Sequence, residues 1–258
     1  MILNDISYTD QGKGPVLVLI HGFCESGELW EDFGKELSKD FRVLVPDLPG
    51  FGKSDLMDSN ISMEYFADKI CQWLILLDVE KCTMIGHSLG GYITLAFAEK
   101  YESMLSAIGM FHSTAFEDSP KRKDSRNKTI DFIEKHGVAL FAQSFVTPLF
   151  YYPNRKNLHK EIDKVIRIAS ESSFAGVIET TKAMRDRKER IEVLKSISVP
   201  VLFIIGKEDT TIPLEKSLEQ AALPAHHVIH VLPDTAHMGM VEKKEETIKM
   251  VRDFVLSI

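Results

Sequence analysis

The chain has 258 residues, of which 44% are hydrophobic and 27% charged, a balance typical of a globular protein rather than a disordered one. No apolar run approaches the length of about eighteen residues that a membrane span requires. The net charge of −7 argues against nucleic acid as a partner, because phosphate binding needs a clustered positive field.

The N-terminal stretch MILNDISYTD has acidic residues where a signal peptide needs a basic flank and an apolar stretch. We therefore expect a cytoplasmic protein. The three cysteines, Cys24, Cys71 and Cys82, have neither an even count nor metal-ligand spacing. They are expected to be reduced, buried thiols that form no disulfide and bind no metal.

Strand-like and helix-like segments alternate along the chain. Short apolar runs that end at turn formers predict strands, and apolar residues at helical spacing predict helices at Leu29 to Leu37 and Ser62 to Leu77. The predicted strands are Ile6 to Thr9, Val16 to Ile20, Phe41 to Val45, Cys82 to Ile85, Leu105 to Phe111, Val201 to Ile205 and His227 to Leu232. Buried strands that alternate with helices require right-handed crossovers, so the pattern predicts an α/β fold with a mostly parallel sheet.

Residues 114–190 lack strand signals and are helical in pattern. Ser119-Pro120 starts one helix and Gly137 ends it. Three further helices are predicted at Val138 to Phe145, Leu158 to Ala169 and Phe174 to Met184. Because the segment is too long for a single crossover, we expect it to form a helical cap. The cap would span residues 115–189, inserted into a core of residues 1–114 and 190–258, above the carboxyl ends of the strands.

A glycine-bracketed serine follows the predicted strand Cys82 to Ile85. Gly86-His87-Ser88-Leu89-Gly90 fits the pattern G-x-S-x-G and precedes a run that can be helical. Such a strand–turn–helix holds its serine in strained backbone, at a cost of roughly 1–3 kcal/mol, and lifts the hydroxyl clear of its neighbours. Ser88 is therefore the candidate nucleophile.

Acyl transfer by a serine also needs a base. Among nine histidines, His237 is the candidate, because it lies in a loop after the last predicted strand and Gly239 lets the chain turn. His87 lies inside the serine turn and is expected to support that turn.

The base needs an acid to orient it, and donors must stabilise the oxyanion. Asp209 is the candidate acid because it follows a buried strand; Glu208 competes with it, and Asp234 is better placed to cap its own loop. The candidate oxyanion donors are the backbone amides of Leu89 and Phe23. Leu89 starts the helix after the serine, and Phe23 follows a strand whose end is expected to abut the serine strand.

Five motifs in this order resemble the α/β-hydrolase fold family, and most of all its small serine carboxylesterases. They are HGF at residues 21–23, DLPGFGKSD at 47–55, GHSLGG at 86–91, GKEDTTIP at 206–213 and DTAHM at 234–238. The resemblance covers nearly the whole chain. It implies a roughly eight-stranded sheet with a helical cap after the sixth strand, Ser88 as nucleophile, His237 as base, Asp209 as acid, and neither a metal nor an organic cofactor.

The same resemblance leaves several reactions open. Dehalogenases and epoxide hydrolases of this fold carry aspartate where this chain has Ser88, so these reactions are not expected. Ester hydrolysis is expected, while carbon–carbon bond hydrolysis, peptidase or perhydrolase chemistry, and a non-catalytic ligand receptor remain alternatives. The expected partner is a small ester or acyl compound, and the oligomeric state stays open.

Aromatic residues are frequent in the predicted cap. Phe141, Phe145, Phe150 and Tyr151 could line an apolar acyl pocket. The alternative is that they form the core of the cap, because aromatic residues at helical spacing usually pack against one another.

Overall fold

In the computed structural model, which describes residues 1–258, the chain forms one eight-stranded sheet with the order β1-β2-β4-β3-β5-β6-β7-β8. The strands are β1 (Ile2–Leu3), β2 (Ile6–Gln11), β3 (Val16–Ile20), β4 (Arg42–Pro46), β5 (Cys82–His87), β6 (Leu105–Phe111), β7 (Val201–Gly206) and β8 (His227–Leu232). β2 pairs antiparallel with both β1 and β4. All other pairings, β4 with β3, β3 with β5, β5 with β6, β6 with β7 and β7 with β8, are parallel. The predicted fold class is confirmed.

Eleven α-helices connect or flank the strands. They are α1 (Glu31–Leu37), α2 (Met63–Leu76), α3 (Leu89–Tyr101), α4 (Pro120–His136), α5 (Val138–Val146), α6 (His159–Ser170), α7 (Phe174–Asp186), α8 (Ile191–Ser196), α9 (Leu214–Ala221), α10 (Gly239–Glu242) and α11 (Lys244–Leu256). None of them is long and apolar enough to cross a membrane.

The central strands are apolar on both faces because helices cover both sides of the sheet. Every residue of β5 and of β7 is buried. β8 differs from the other apolar runs, since it pairs only with β7 and lies at the edge. Val228, Ile229 and Val231 are therefore 37–40% exposed although their sequence resembles a buried strand.

Helices α4 to α7 lie between β6 and β7 and form the predicted cap, whose division from the core at residues 115 and 189 stays a prediction. α4 packs on α7, and α5 packs on α6. Where the cap meets the core, Gly50 and Gly176 approach so closely that a Cβ on Gly176 would lie 2.2 Å from the Gly50 carbonyl oxygen. The Ser173 hydroxyl donates a hydrogen bond of 3.1 Å to the same oxygen, which fixes the start of α7 against the core.

Candidate active site

Ser88 lies at the turn between β5 and α3. Its φ is 50°, in the left-handed region that favours glycine, so the turn is strained. The neighbouring glycines permit this geometry: a Cβ on Gly86 would lie 2.2 Å from the Gly90 carbonyl, and one on Gly90 would lie 2.4 Å from the Ile20 carbonyl oxygen. The turn is therefore possible only with these glycines in place.

Hydrogen bonds to the end of β6 hold the serine turn. The Ser88 N–H donates to the Phe111 carbonyl at 3.0 Å, and the Ser113 hydroxyl donates to the Ser88 carbonyl at 2.7 Å. Neither bond uses the Ser88 hydroxyl. The side chain is thus left free for chemistry while its backbone is fixed.

His237 and Asp209 lie on the loops after β8 and β7, and the structure brings them together. Nδ1 of His237 is 2.6 Å from Oδ2 of Asp209. Oδ1 of Asp209 accepts the N–H groups of Thr211 at 2.7 Å and Ile212 at 3.0 Å. Burial disfavours the charged carboxylate, but the His237 ring and these hydrogen bonds outweigh burial and lower the pKa of Asp209. An ionised Asp209 holds the proton on Nδ1 and leaves Nε2 as an acceptor.

The competing acids are not bonded to this ring. Glu208 uses its backbone N–H to bind the Thr235 carbonyl at 2.9 Å, and Asp234 adopts a φ of 52° in the loop before His237. Asp209 alone supplies the carboxylate that His237 contacts.

Ser88 and His237 line one cavity of about 30 Å³ beneath the cap. The Ser88 hydroxyl is not hydrogen-bonded to the imidazole in this structure, as is common before a substrate binds. The cavity has room for about one water molecule. Its eleven lining residues are Phe23, Glu25, Ser88, Tyr92, Arg122, Arg126, Phe145, Leu149, Met184, Thr211 and His237.

Of the two residues that carry the candidate oxyanion amides, Phe23 lines this cavity and Leu89 directly follows Ser88. Phe23 follows β3, whose end pairs with β5, and its backbone N–H donates no hydrogen bond within the chain. Leu89 is the first residue of α3, where a helix offers the N–H no partner of its own. Both amides are therefore available to an incoming oxygen.

A buried carboxylate that the sequence analysis missed braces the Phe23 loop. Glu25 is 4% exposed and accepts the Gly22 N–H at 2.6 Å and contacts Nδ1 of His87 at 3.0 Å. Nε2 of His87 lies 2.9 Å from the His237 carbonyl oxygen. Burial opposes charge on His87, but the Glu25 carboxylate and these bonds outweigh it and raise the pKa of the ring. His87 thus joins the Phe23 loop to the His237 loop, and its support of the serine turn stays a prediction.

His112, directly after β6, is a second buried histidine behind the site. Its ring nitrogens face the N–H groups of Gly206 at 3.0 Å and Gly239 at 3.2 Å, so a neutral ring can accept from only one of them. Burial lowers the pKa of His112 well below its ordinary value. The His112 ring is therefore neutral. It fills the space between the ends of the strands and does not act as a second base.

The cap aromatic residues divide between the cavity wall and the packing behind it. Of the four residues predicted for an acyl pocket, only Phe145 lines the cavity. Phe141 stacks on Phe145 with ring centroids 5.0 Å apart, Phe150 is 1% exposed, and the Tyr151 backbone binds Glu242. Phe141 therefore packs behind Phe145, and neither Phe150 nor Tyr151 lines the cavity.

Other regions do not share this chemistry. A cavity of about 590 Å³ lies near the N-terminal strands, and neither Ser88, Asp209 nor His237 lines it. The described residues include no group of three or more His, Cys, Asp or Glu side chains that could hold a metal ion. The three cysteines are free and buried.

Comparison with known proteins places this geometry in context. The family model described as alpha/beta hydrolase fold matches residues 15–244. The chain is 27% identical over 251 residues to a pimeloyl-[acyl-carrier protein] methyl ester esterase from Aeromonas salmonicida, covering 95% of this chain and 96% of that protein. It is 25% identical over 260 residues to a 2-hydroxymuconate semialdehyde hydrolase from Pseudomonas sp. strain CF600, covering 95% and 88% of the two chains. A malate-bound structure of a thermophilic esterase from Thermogutta terrifontis superposes with a TM-score of 0.94 at 28% identity, covering 98% of this chain and 93% of that one.

Proposed function

The chain belongs to the α/β-hydrolase fold family, and from that premise we propose that it is a serine hydrolase of small carboxylic esters. Ser88 is the nucleophile, His237 the base and Asp209 the acid that orients it. The observation that carries the proposal is the His237–Asp209 hydrogen bond of 2.6 Å beside a serine held at the tip of a strained turn. This is the arrangement that acyl transfer by serine needs.

The mechanism follows from these positions. His237 Nε2 takes the hydroxyl proton as Ser88 Oγ attacks the ester carbonyl, and the amides of Phe23 and Leu89 stabilise the oxyanion. The intermediate collapses to an acyl-enzyme as the alcohol leaves with the proton from His237. Water, deprotonated by the same ring, then attacks the acyl-enzyme, releases the acid and restores the serine. Asp209 keeps the ring in one tautomer throughout.

Charge in the cavity favours an ester over a peptide with a free amino group. An aminopeptidase needs an unengaged carboxylate for the ammonium group, whereas the only acid in this wall, Glu25, is held by Gly22 and His87. Carbon–carbon bond hydrolysis uses the same residues and remains the alternative, since one relative is a 2-hydroxymuconate semialdehyde hydrolase. A cytoplasmic location and action without metal or organic cofactor remain part of the proposal.

Replacement of Ser88 tests the proposal. Ser88→Ala should lower kcat for p-nitrophenyl acetate by about 10⁴–10⁶-fold, because the nucleophile is lost while the oxyanion amides remain. A fluorophosphonate probe should label the natural chain and not the variant. Ser196→Ala, an exposed serine at the end of α8, serves as the control and should behave like the natural chain. A loss of less than tenfold for Ser88→Ala would refute the assignment.

A further inference from the structure

The wall of the active-site cavity carries two arginines on one face of α4. Arg122 and Arg126 are four residues apart, which places them on adjacent turns of the same side of the helix. Both line the cavity together with Ser88 and His237. No catalytic step of the proposed ester hydrolysis uses a cation at this place.

The chain does not neutralise these arginines. Nε of Arg126 donates to Asp118 at 3.1 Å, but its two terminal nitrogens make no hydrogen bond within the chain. The other oxygen of Asp118 lies 2.7 Å from Arg187, so one carboxylate is shared by two guanidinium groups. Arg122 forms no ion pair, and the nearby Glu117 is ion-paired with Lys123 instead. Asp118 is therefore the only salt-bridge partner that Arg126 and Arg187 have, and Arg122 has none.

Burial makes this imbalance costly. The Arg126 side chain is only 14% exposed, and burial lowers the pKa of its guanidinium. A buried cation without a full set of partners is unfavourable, and an anion that binds its free nitrogens removes that cost. Arg126 is thus suited to bind an anionic ligand, with Arg122 beside it on the same helix.

The cavity wall that contains the two arginines also contains Tyr92. Tyr92 is 4% exposed and lines the cavity, yet its hydroxyl makes no hydrogen bond within the chain. The Arg187 guanidinium stacks over its ring at 4.1 Å, which fixes the ring in place. A guanidinium fork with an adjacent hydroxyl donor matches the planar oxygens of a carboxylate.

We propose that Arg126, Arg122 and the Tyr92 hydroxyl form a subsite for a carboxylate of the substrate, so that the ester cleaved at Ser88 is a half-ester of a dicarboxylic acid or a similar anionic ester. This inference rests on the proposed ester hydrolysis. The same wall contains the apolar side chains of Phe23, Phe145 and Leu149, against which the methylene chain of such a substrate would pack once it has displaced cap side chains.

The test compares each anionic ester with a neutral one of the same chain. Monomethyl esters of the acids from malonic to suberic acid are compared with their dimethyl esters, and hydrolysis is followed by proton release in a pH-stat. For the best chain length, kcat/KM should favour the monomethyl ester by at least about tenfold, the range of a charge-assisted hydrogen bond. If no chain length shows this preference, the subsite is wrong.

Variants assign the preference to particular residues. Arg126→Gln should reduce the ratio of kcat/KM for the anionic ester to that for the neutral ester by about tenfold to a hundredfold, mainly through KM. Arg126→Lys, which keeps the charge, should restore part of the preference. Lys121→Gln removes an exposed cation from the same helix and should leave the ratio unchanged. A ratio that Arg126→Gln does not alter would overturn the proposal, provided that thermal unfolding shows the variant to be folded.

A binding measurement separates this inference from the proposed function. Calorimetry with glutarate requires no turnover, and Arg126→Gln should weaken its binding about tenfold or more. Equal affinity of the natural chain and the variant would count against the subsite. Ser88-dependent hydrolysis of p-nitrophenyl acetate without any preference for anionic esters would reject the subsite alone. Anion binding without Ser88-dependent hydrolysis would reject the proposed function while the subsite stands.

Discussion

The ring of His87 lies between two acceptors, the Glu25 carboxylate and the His237 carbonyl oxygen. A neutral imidazole donates from only one nitrogen, so both hydrogen bonds form together only when the ring is protonated. Glu25 and His87 are therefore a buried ion pair, although neither takes part in the proposed proton transfer. The pair sets the distance between the loop that carries Phe23 and the loop that carries His237.

The stability that this pair contributes should depend on pH. The pKa of Glu25 is lowered from 4.5, because the His87 charge and hydrogen bonds outweigh burial, so its contribution is lost as pH falls through the folded value. The pKa of His87 is raised from 6.5, so its contribution is complete below 6.5 and is lost as pH rises through the folded value. Glu25→Gln should then lower the free energy of unfolding by about 1–3 kcal/mol near pH 5.5 and by less at pH 8.5.

Urea unfolding at the two pH values measures this difference. Glu31→Gln, which removes an exposed carboxylate without an ion pair, is the control and should show no such pH dependence. A difference that grows from pH 5.5 to 8.5 would contradict the charged state of His87.

Sequence reasoning proposed as site residues those that their neighbours along the chain single out. Ser88 is bracketed by glycines, and Asp209 and His237 each follow an apolar run, so their meeting at one sheet edge could be expected. Glu25 and Arg126 could not be found in this way. Their importance depends on the side chains that surround them, and those come from β5 and from the loop before α4.

The geometry of the candidate active site depends on how closely α3 approaches the end of β3. Gly90, in the first turn of α3, faces the Ile20 carbonyl oxygen with no space for a side chain. The helix start and the strand end that leads to Phe23 are thus in direct backbone contact. This contact fixes the distance between the two candidate oxyanion amides.

A methyl group at this contact should therefore destabilise the fold. Its Cβ would lie 2.4 Å from the Ile20 carbonyl oxygen, which cannot give way as a flexible side chain would. Gly90→Ala should lower the free energy of unfolding by about 1–3 kcal/mol, measured in urea.

Gly34→Ala is the matched control, since its Cβ would meet Val43 at an ordinary 3.5 Å within α1. This control should be neutral or should stabilise the chain by up to about 1 kcal/mol. Equal effects of the two substitutions would show that the contact does not constrain α3.

The strands and helices themselves were largely predictable because their periodicity is local. Val16 to Ile20 and Leu105 to Phe111 were placed at their observed bounds. β1 was missed because two residues carry no periodic signal, and the exposure of β8 was missed because its position at the sheet edge depends on strand order, which is not local.

The cap and the core together close the cavity that Ser88 and His237 line. Phe145 from the cap meets Phe23 from the core with ring centroids 5.8 Å apart, and the space between the two parts is about 30 Å³. Pockets for small ligands are usually about 300–1,000 Å³. An ester must therefore displace cap side chains to reach Ser88, and a longer acyl chain must displace more of them.

Removal of the Phe145 ring should relieve this restriction. Phe145→Ala should raise kcat/KM for p-nitrophenyl hexanoate relative to acetate by about tenfold, because the wall no longer excludes the longer chain. Leu140→Ala, on the same helix but 47% exposed, is the control and should leave the chain-length profile unchanged. If Phe145→Ala leaves the profile unchanged as well, the cap does not set the length limit.

One backbone hydrogen bond links the cap to the loop that carries His237. The His237 N–H donates to the Leu149 carbonyl at 2.9 Å, and Leu149 also lines the cavity. A ligand that pushes Leu149 outward therefore pulls on the backbone of His237, the residue that accepts the serine proton in the proposed mechanism. If the proposed mechanism holds, the size of the ligand affects the position of His237, so that a poorly fitting ester is slower in proton transfer as well as weaker in binding.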